Sequence, residues 1–427
     1  MGAHKTPDIN EAELRLNEPA TKIMKIGLIV GVVGLALSFV IGNNNAHGDN
    51  PDHWAGFQYS YLVAFSYWLS ICLGSLFFVT IQHLVKAGWS VVVRRLAEFI
   101  ASAVPVMFIL FLPILIPTLM GSHVLYHWTD PALLDPTDSH YDKLMVIKEP
   151  YLNIPFFLVR CLFYFVFWTA LSMFFFKNSM KQDVEGGVKH TNLMQLASAP
   201  AMVVLALTTT FAVVDYIMTL QFHWFSTIIG VYFFAGAMMS TMSVLVLISR
   251  GLQKNGYITN LVNVEHYHDL GKLMFAFVFF WGYIAFSQFM LIWYANMPEG
   301  TQFYLPRQQG EWVTFMRILI IGHFFIPFPG LISRHAKRRL KILTFWAVYL
   351  LIFQYIDLYY MIMPARVAHG DGHGADPNVV PLSFLDLTTW LGVGGIFVAT
   401  VAWNMRGKPL APIKDPRLAE CLAHENI

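Results

Sequence analysis

Long apolar runs alternate with short polar clusters along the whole chain. The runs lie near 26–42, 57–82, 99–120, 152–176, 196–220, 227–249, 273–295, 312–332, 342–363 and 384–405. As helices, most reach the roughly 20 residues needed to cross a hydrocarbon layer. The first run is shorter, and Lys22 and Lys25 at its end have stems long enough to carry their charges back to water. The polar residues 1–21 ahead of it argue against a cleaved signal. None of the runs shows the period-2 alternation of a transmembrane β-strand, so helices are the predicted spanning elements. The expected fold class is an all-α integral membrane protein with ten transmembrane helices.

Lys and Arg set the expected orientation. With residue 1 in the cytoplasm, 22 of the 28 basic residues fall on the inner side. The densest inner run is Arg334, Lys337, Arg338, Arg339 and Lys341. The outer connections hold only Lys143, Lys148, Arg307 and Arg366, and Arg160 and Arg317 lie within helices. The positive-inside rule then predicts both termini to be cytoplasmic. Composition agrees, being 56% hydrophobic and 13% charged with mean hydropathy +0.53, too few charges for a soluble surface on a chain of this size. The net charge of +2 belongs to topology and predicts no nucleic-acid partner. Cys72, Cys161 and Cys421 have no paired spacing, against a disulfide framework or an iron–sulfur cluster in this chain.

Five apolar runs carry one ionisable residue each: Arg160, Asp215, Arg317, Asp357 and Asp386. A charge in hydrocarbon is costly unless it meets a partner or water, so such residues are functional candidates. All five are expected near the outer ends of their helices, at similar depth. Spans two to five and six to nine show a weak symmetry, each set having an Arg on its third helix (Arg160, Arg317) and an Asp on its fourth (Asp215, Asp357). Three roles fit. The charges can form buried pairs, Arg160–Asp215 and Arg317–Asp357, that fix helix register. They can belong to a proton path through Asp215, Asp357 and Asp386, with Thr209 and Tyr355 among the neighbouring hydroxyls. They can line a quinol head-group pocket with His123, Arg160, Asp215 and Gln288, which offers hydrogen-bond partners and proton acceptors.

On the inner side, Glu265, His266, His268 and Asp269 crowd the start of the seventh span and either collect protons or cap the helix. His83 and Glu98 are further inner candidates, with Glu98 placed to pair locally with Arg94. Deep within a span stands only His323, so a two-histidine haem site is not expected, and the run His369, Asp371, His373, Asp376 lacks a defined metal-ligand spacing. Pro105, Pro113 and Pro117 in the third span and Pro327 and Pro329 in the eighth predict kinks or hydrated notches. The outer loop 121–151, with Asp130, Asp135, Asp138, Asp142 and Glu149, is long enough to serve as a docking segment.

Four stretches carry a resemblance: QHLVKAGWSVVVRRLAE (82–98), DYIMTLQFHWFSTIIGVYFFAG (215–236), HDLGKLMFAFVFFWGYIAFSQFMLIWYANMPE (268–299) and HFFIPFPGLISRHAKR (323–338). Over about residues 55–405 the chain resembles the ActF-type membrane subunits of bacterial alternative complex III, within the NrfD/polysulfide-reductase-like family. The resemblance implies two four-helix bundles plus two flanking helices in a bacterial inner membrane. The expected division is an arm (1–21), a first flanking helix with its outer loop (22–56), a first bundle (57–225), a second bundle (226–365), a periplasmic loop with the tenth helix (366–405) and a cytoplasmic tail (406–427). It further implies a cofactor-free subunit of a quinol:electron-acceptor oxidoreductase. The implied partners are a sister NrfD-like subunit, a periplasmic iron–sulfur protein, multihaem cytochromes c that carry the haem, and other small membrane subunits. Scaffolding and proton-conducting half-channels are the expected roles, direct quinol binding is the alternative, and a secondary transporter is the rival from another class. A transporter would hold substrate nearer the midplane.

Overall fold

A computed structural model describes residues 14–44, 54–368 and 378–425. Among these residues the regular elements are helical, and ten helices are long and apolar enough to cross a membrane. They are α1 (Glu18–Asn43), α2 (Ala55–Leu84), α3 (Val91–Leu119), α4 (Ile154–Glu185), α5 (Lys189–Gln221), α6 (Ile229–Lys254), α7 (Val264–Ala295), α8 (Gly310–Ile332), α9 (Leu340–Ile362) and α10 (Phe384–Met405). The run 369–376 lies outside the described residues.

Local chemistry sets the helix ends. Asn153 accepts from the Phe156 N–H at 2.9 Å and opens α4 ahead of Pro155. Asn263 and His266 form a reciprocal box that opens α7. Within α3 the helix is interrupted between Ala101 and Val104, where Pro105 supplies no N–H to the Ala101 carbonyl. That carbonyl instead faces the Cys72 thiol at 3.8 Å, while the Ser102 hydroxyl donates to the Phe99 carbonyl at 2.8 Å and accepts from the Asn404 amide at 2.8 Å. At Pro105, then, the break in the helix is met by neighbouring side chains. In α8 the π turn over Ile321–Phe325 precedes Pro327 and turns His323 inward, the kind of irregularity that often marks a functional position.

Helix α2 is central: 94% of its apolar window is buried, against 22% for α1 and for α7. It touches α3, α5, α6, α9 and α10; α3 meets α4, α4 meets α5, and α6 meets α7 and α9. Helix α1 contacts mainly α10, through small residues that bring two backbones together. A Cβ on Gly31 would sit 2.7 Å from the Ile396 nitrogen, and one on Gly34 2.7 Å from the Gly392 nitrogen. Two turns on, Ser38 donates to Thr388 at 2.9 Å. Gly31→Leu is expected to open this seam, because backbone atoms cannot step aside as a flexible side chain would. Overpacking costs about 1–3 kcal/mol, so oxidative cross-linking of a Ser38→Cys/Thr388→Cys pair should fall about tenfold when Gly31→Leu is added. Equal cross-linking in both backgrounds would mean the seam tolerates the bulk.

Both described chain ends lie on one face, where the Leu410 N–H donates to the Leu14 carbonyl at 2.8 Å and Gly407 to Leu16 at 3.1 Å. The run 334–341 also lies at this face, called the basic face below. The tail then crosses it. Asp415 accepts from Arg94 at 2.7 Å, Cys421 donates to the Trp89 carbonyl at 2.9 Å, and His424 meets Asp269 at 2.5 Å. The 121–151 segment at the opposite face folds onto its own chain: His223 meets Asp142 at 2.5 Å and Lys148 donates to the Phe222 carbonyl. Partial burial works against the Asp142 charge, but hydrogen bonds from His223 and the Leu144 N–H outweigh it and hold its pKa below the usual carboxylate range.

Candidate functional site: a divided layer of buried charges

The first half builds the expected pair. Arg160 is six residues inside α4 and Asp215 six residues inside α5, each about 9 Å from the helix end at 1.5 Å per residue. Arg160 Nε and Nη2 donate to the two Asp215 oxygens, both at 2.9 Å, a bidentate fork. Its remaining nitrogen donates to the Tyr151 carbonyl at 2.8 Å, and its plane lies 3.9 Å from the Tyr151 ring centre. Tyr164 completes the carboxylate at 2.8 Å. Deeper in, the Trp168 indole donates to Thr208 at 3.0 Å. Thr209 and Tyr216, whose hydroxyls have no hydrogen-bond partner among the described residues, line a cavity of about 10 Å3 with Ser66, close to the volume of one water.

The second half does not repeat this arrangement. Arg317 lies exposed on α8, and it forms no ion pair among the described residues, so the expected Arg317–Asp357 pair is absent. The reason is helical phase. Trp312, Leu319 and His323 mark the buried stripe of α8, and Arg317, two residues before Leu319, is turned about 200° away from it. Asp357 is nevertheless fully buried, five residues from the end of α9 or about 8 Å deep. It accepts from the Tyr232 hydroxyl and, at 3.1 Å, from the Trp281 indole. Trp281 lies 4.0 Å from the His323 ring centre. His323 approaches the Met239 sulfur at 3.4 Å through Nε2, while its Nδ1 has no partner among the described residues. One turn below Asp357, Gln354 is buried, and its side-chain oxygen has no partner among the described residues.

The buried cation of this half is Arg307, which the sequence placed in an outer connection. It is wholly buried and donates to three carbonyls: Phe303 at 2.5 Å, Met361 at 2.8 Å and Tyr360 at 3.1 Å. Pro364 has no N–H for the Tyr360 carbonyl, so the guanidinium supplies the missing donor. Burial pulls its pKa down to about 10, with Tyr360 opposing, and it stays charged at neutral pH. The open signal in the sequence was Pro364, one turn past Tyr360, which leaves a helix-end carbonyl in need of a donor.

Asp386 lies at a different level. It is two residues into α10, about 3 Å from the helix end. Its side chain accepts from the Ser383 N–H at 2.9 Å and from Ser60 at 2.5 Å, so it closes a capping box. Tyr355 donates to the Asp386 carbonyl at 3.3 Å. Both border an apolar groove of about 980 Å3 between α1/α10 and α6/α9, running from Asp386 to Lys22. The four residues expected around a quinol do not line this groove. His123 contacts Thr129 at 2.8 Å, whereas Gln288 accepts from Ser226 at 2.9 Å and donates to Tyr304 at 3.3 Å.

At the basic face the acids are engaged. Glu265 is held by a two-pronged Arg338 bond with one contact at 2.8 Å, and Asp269 by Lys272 at 2.8 Å and His424. His268 is buried with Nδ1 unpartnered among the described residues. Glu98 pairs with Arg94 at 3.5 Å and with Arg95 at 3.2 Å, and Arg95 also meets Asp183 at 2.7 Å. His83 stacks on Phe175 at 5.2 Å. Among the described residues no group of three or more His, Cys, Asp or Glu side chains could hold a metal ion. Neither the protein-family models nor the curated proteins with which the sequence was compared match this chain.

Proposed function

We propose that this chain is the cofactor-free membrane subunit of a bacterial quinol:electron-acceptor oxidoreductase of the alternative complex III type. In this reading the ten spans form two four-helix bundles flanked by α1 and α10 in the inner membrane, with the basic face in the cytoplasm. A sister NrfD-like subunit, a periplasmic iron–sulfur protein and multihaem cytochromes c carry the electron chemistry around it. The motif resemblance over residues 55–405 supports the assignment. The observation that carries a proton role is the contrast between the two buried acids.

Asp215 is locked to a guanidinium in a buried bidentate ion pair, which a proton relay would have to break. Among the described residues Asp357 has no cation within ion-pair distance, and it is held by a hydroxyl and an indole. It can gain or lose a proton while Tyr232 and Trp281 keep it in place. Toward the loop face, Gln288, Ser226 and Tyr304 form a hydrogen-bonded set. Toward the basic face, Leu350, Ala347 and Leu343 of α9 and Met274 and Leu270 of α7 are buried and apolar. The polar route is therefore a half-channel that opens toward the loop face and ends near His323.

In proteoliposomes of the assembled complex, Asp357→Asn is expected to slow proton movement coupled to quinol oxidation by on the order of 10²-fold, the lower bound for loss of a positioned proton carrier. Co-purifying c-type haem should stay at the wild-type ratio. An unchanged proton-to-electron ratio in a fully assembled Asp357→Asn complex would remove the proton role and leave a scaffold.

A further inference from the structure

We propose that the crevice between the start of α1 and the end of α10 binds the phosphodiester headgroup of an anionic phospholipid from the leaflet at the basic face. Lys22, Lys25 and Arg406 are its ligands. The crevice has a volume of about 700 Å3 and brings these three cations together with one acid, Glu18. Its deeper wall is Ile26 and Ile29 of α1, so polar and apolar linings are stacked in the order that headgroup and acyl chain require. Lys22 also lines the basic-face end of the 980 Å3 groove, where Pro19, Ala20 and Ile23 continue the wall. One lipid can therefore rest its phosphate among the cations and send one chain along Ile29 and the other into the groove.

Basic residues abound at this face for topological reasons, and several of them are engaged elsewhere. Arg94, Arg95, Arg338 and Arg417 are in ion pairs. Lys337 donates to the Leu331 and Ile332 carbonyls, and Lys414 to Val184. Lys22, Lys25 and Arg406 form no ion pair or side-chain hydrogen bond among the described residues, and they converge on a concave site at headgroup level. Basic pockets between transmembrane helices on the positive side are suited to anionic headgroups, each cation near the surface contributing about a fivefold gain in affinity.

The test uses the full chain in phosphatidylcholine nanodiscs doped with spin-labelled phosphatidylglycerol or phosphatidylcholine. The wild-type protein should retain the phosphatidylglycerol probe selectively. Each of Lys22→Gln, Lys25→Gln and Arg406→Gln should weaken that retention about fivefold, and the triple variant by on the order of 100-fold. Lys22→Arg should hold it. Lys177→Gln/Lys181→Gln, which removes two exposed charges elsewhere on the same face, should have no effect. A triple variant that keeps the selectivity, or a control pair that loses it equally, would overturn the site in favour of a diffuse surface potential.

Discussion

Arg160→Leu is expected to destabilise the protein by about 3–5 kcal/mol, the usual cost of leaving one member of a buried ion pair without the other. Both Asp215 oxygens take their donors from this one guanidinium, with Tyr164 adding a single further bond. The Tyr151 carbonyl loses its donor as well, and the Tyr151 and Phe156 rings lose the cation that lies 3.9 and 4.4 Å from their centres. Arg160→Leu/Asp215→Leu should recover most of the loss, because two apolar side chains leave no charge in hydrocarbon. Reversible unfolding of both variants in mixed micelles checks this. A single variant as stable as the wild type would mean that water reaches Asp215 and that the layer is wetter than the contacts describe.

The second large effect is expected at Arg307. Arg307→Met keeps much of the volume but strips donors from three buried carbonyls, and each unsatisfied group costs about 1–3 kcal/mol. The Tyr360 carbonyl is the critical one, since Pro364 cannot serve it. The variant should lose at least about 3 kcal/mol by the same unfolding measurement. Arg307→Lys should fall between the two, because a point charge on a flexible stem cannot reproduce a planar fork directed at separate acceptors. Equal stability of the Met variant and the wild type would show that backbone shifts in 303–308 satisfy the carbonyls without a cation.

These two arginines show how much of the site was legible. The ten spans follow from run length, since a bilayer imposes about 20 residues on any helix that crosses it. Helix α1 begins earlier than its apolar run, at Glu18, because lysine stems allow a helix to continue past the hydrocarbon edge. Arg160 and Asp215 were readable as partners because they lie at matching depths on consecutive helices. Depth alone then misled for Arg317, where rotation about the helix axis mattered equally and the stripe Trp312, Leu319 and His323 already contained it. Asp386 was also readable: Ser383 three residues earlier is a cap signature at the start of an apolar run. Arg307 was hidden by its position in a connection, where burial leaves no periodic trace. The contacts of Tyr232 and Trp281 with Asp357 join three helices, and no one-dimensional pattern encodes them.

The C-terminal strap has a consequence for the basic face. Asp269, at the start of α7, is clasped by the chain's own His424. Asp415 of the same strap is anchored to α3 by Arg94, so the strap joins the two halves as a staple across one mouth. The same carboxylate also takes Lys272, so it ties the strap and the opening turns of α7 together. Cutting the strap ahead of Asp415 would therefore release both anchors of this face together.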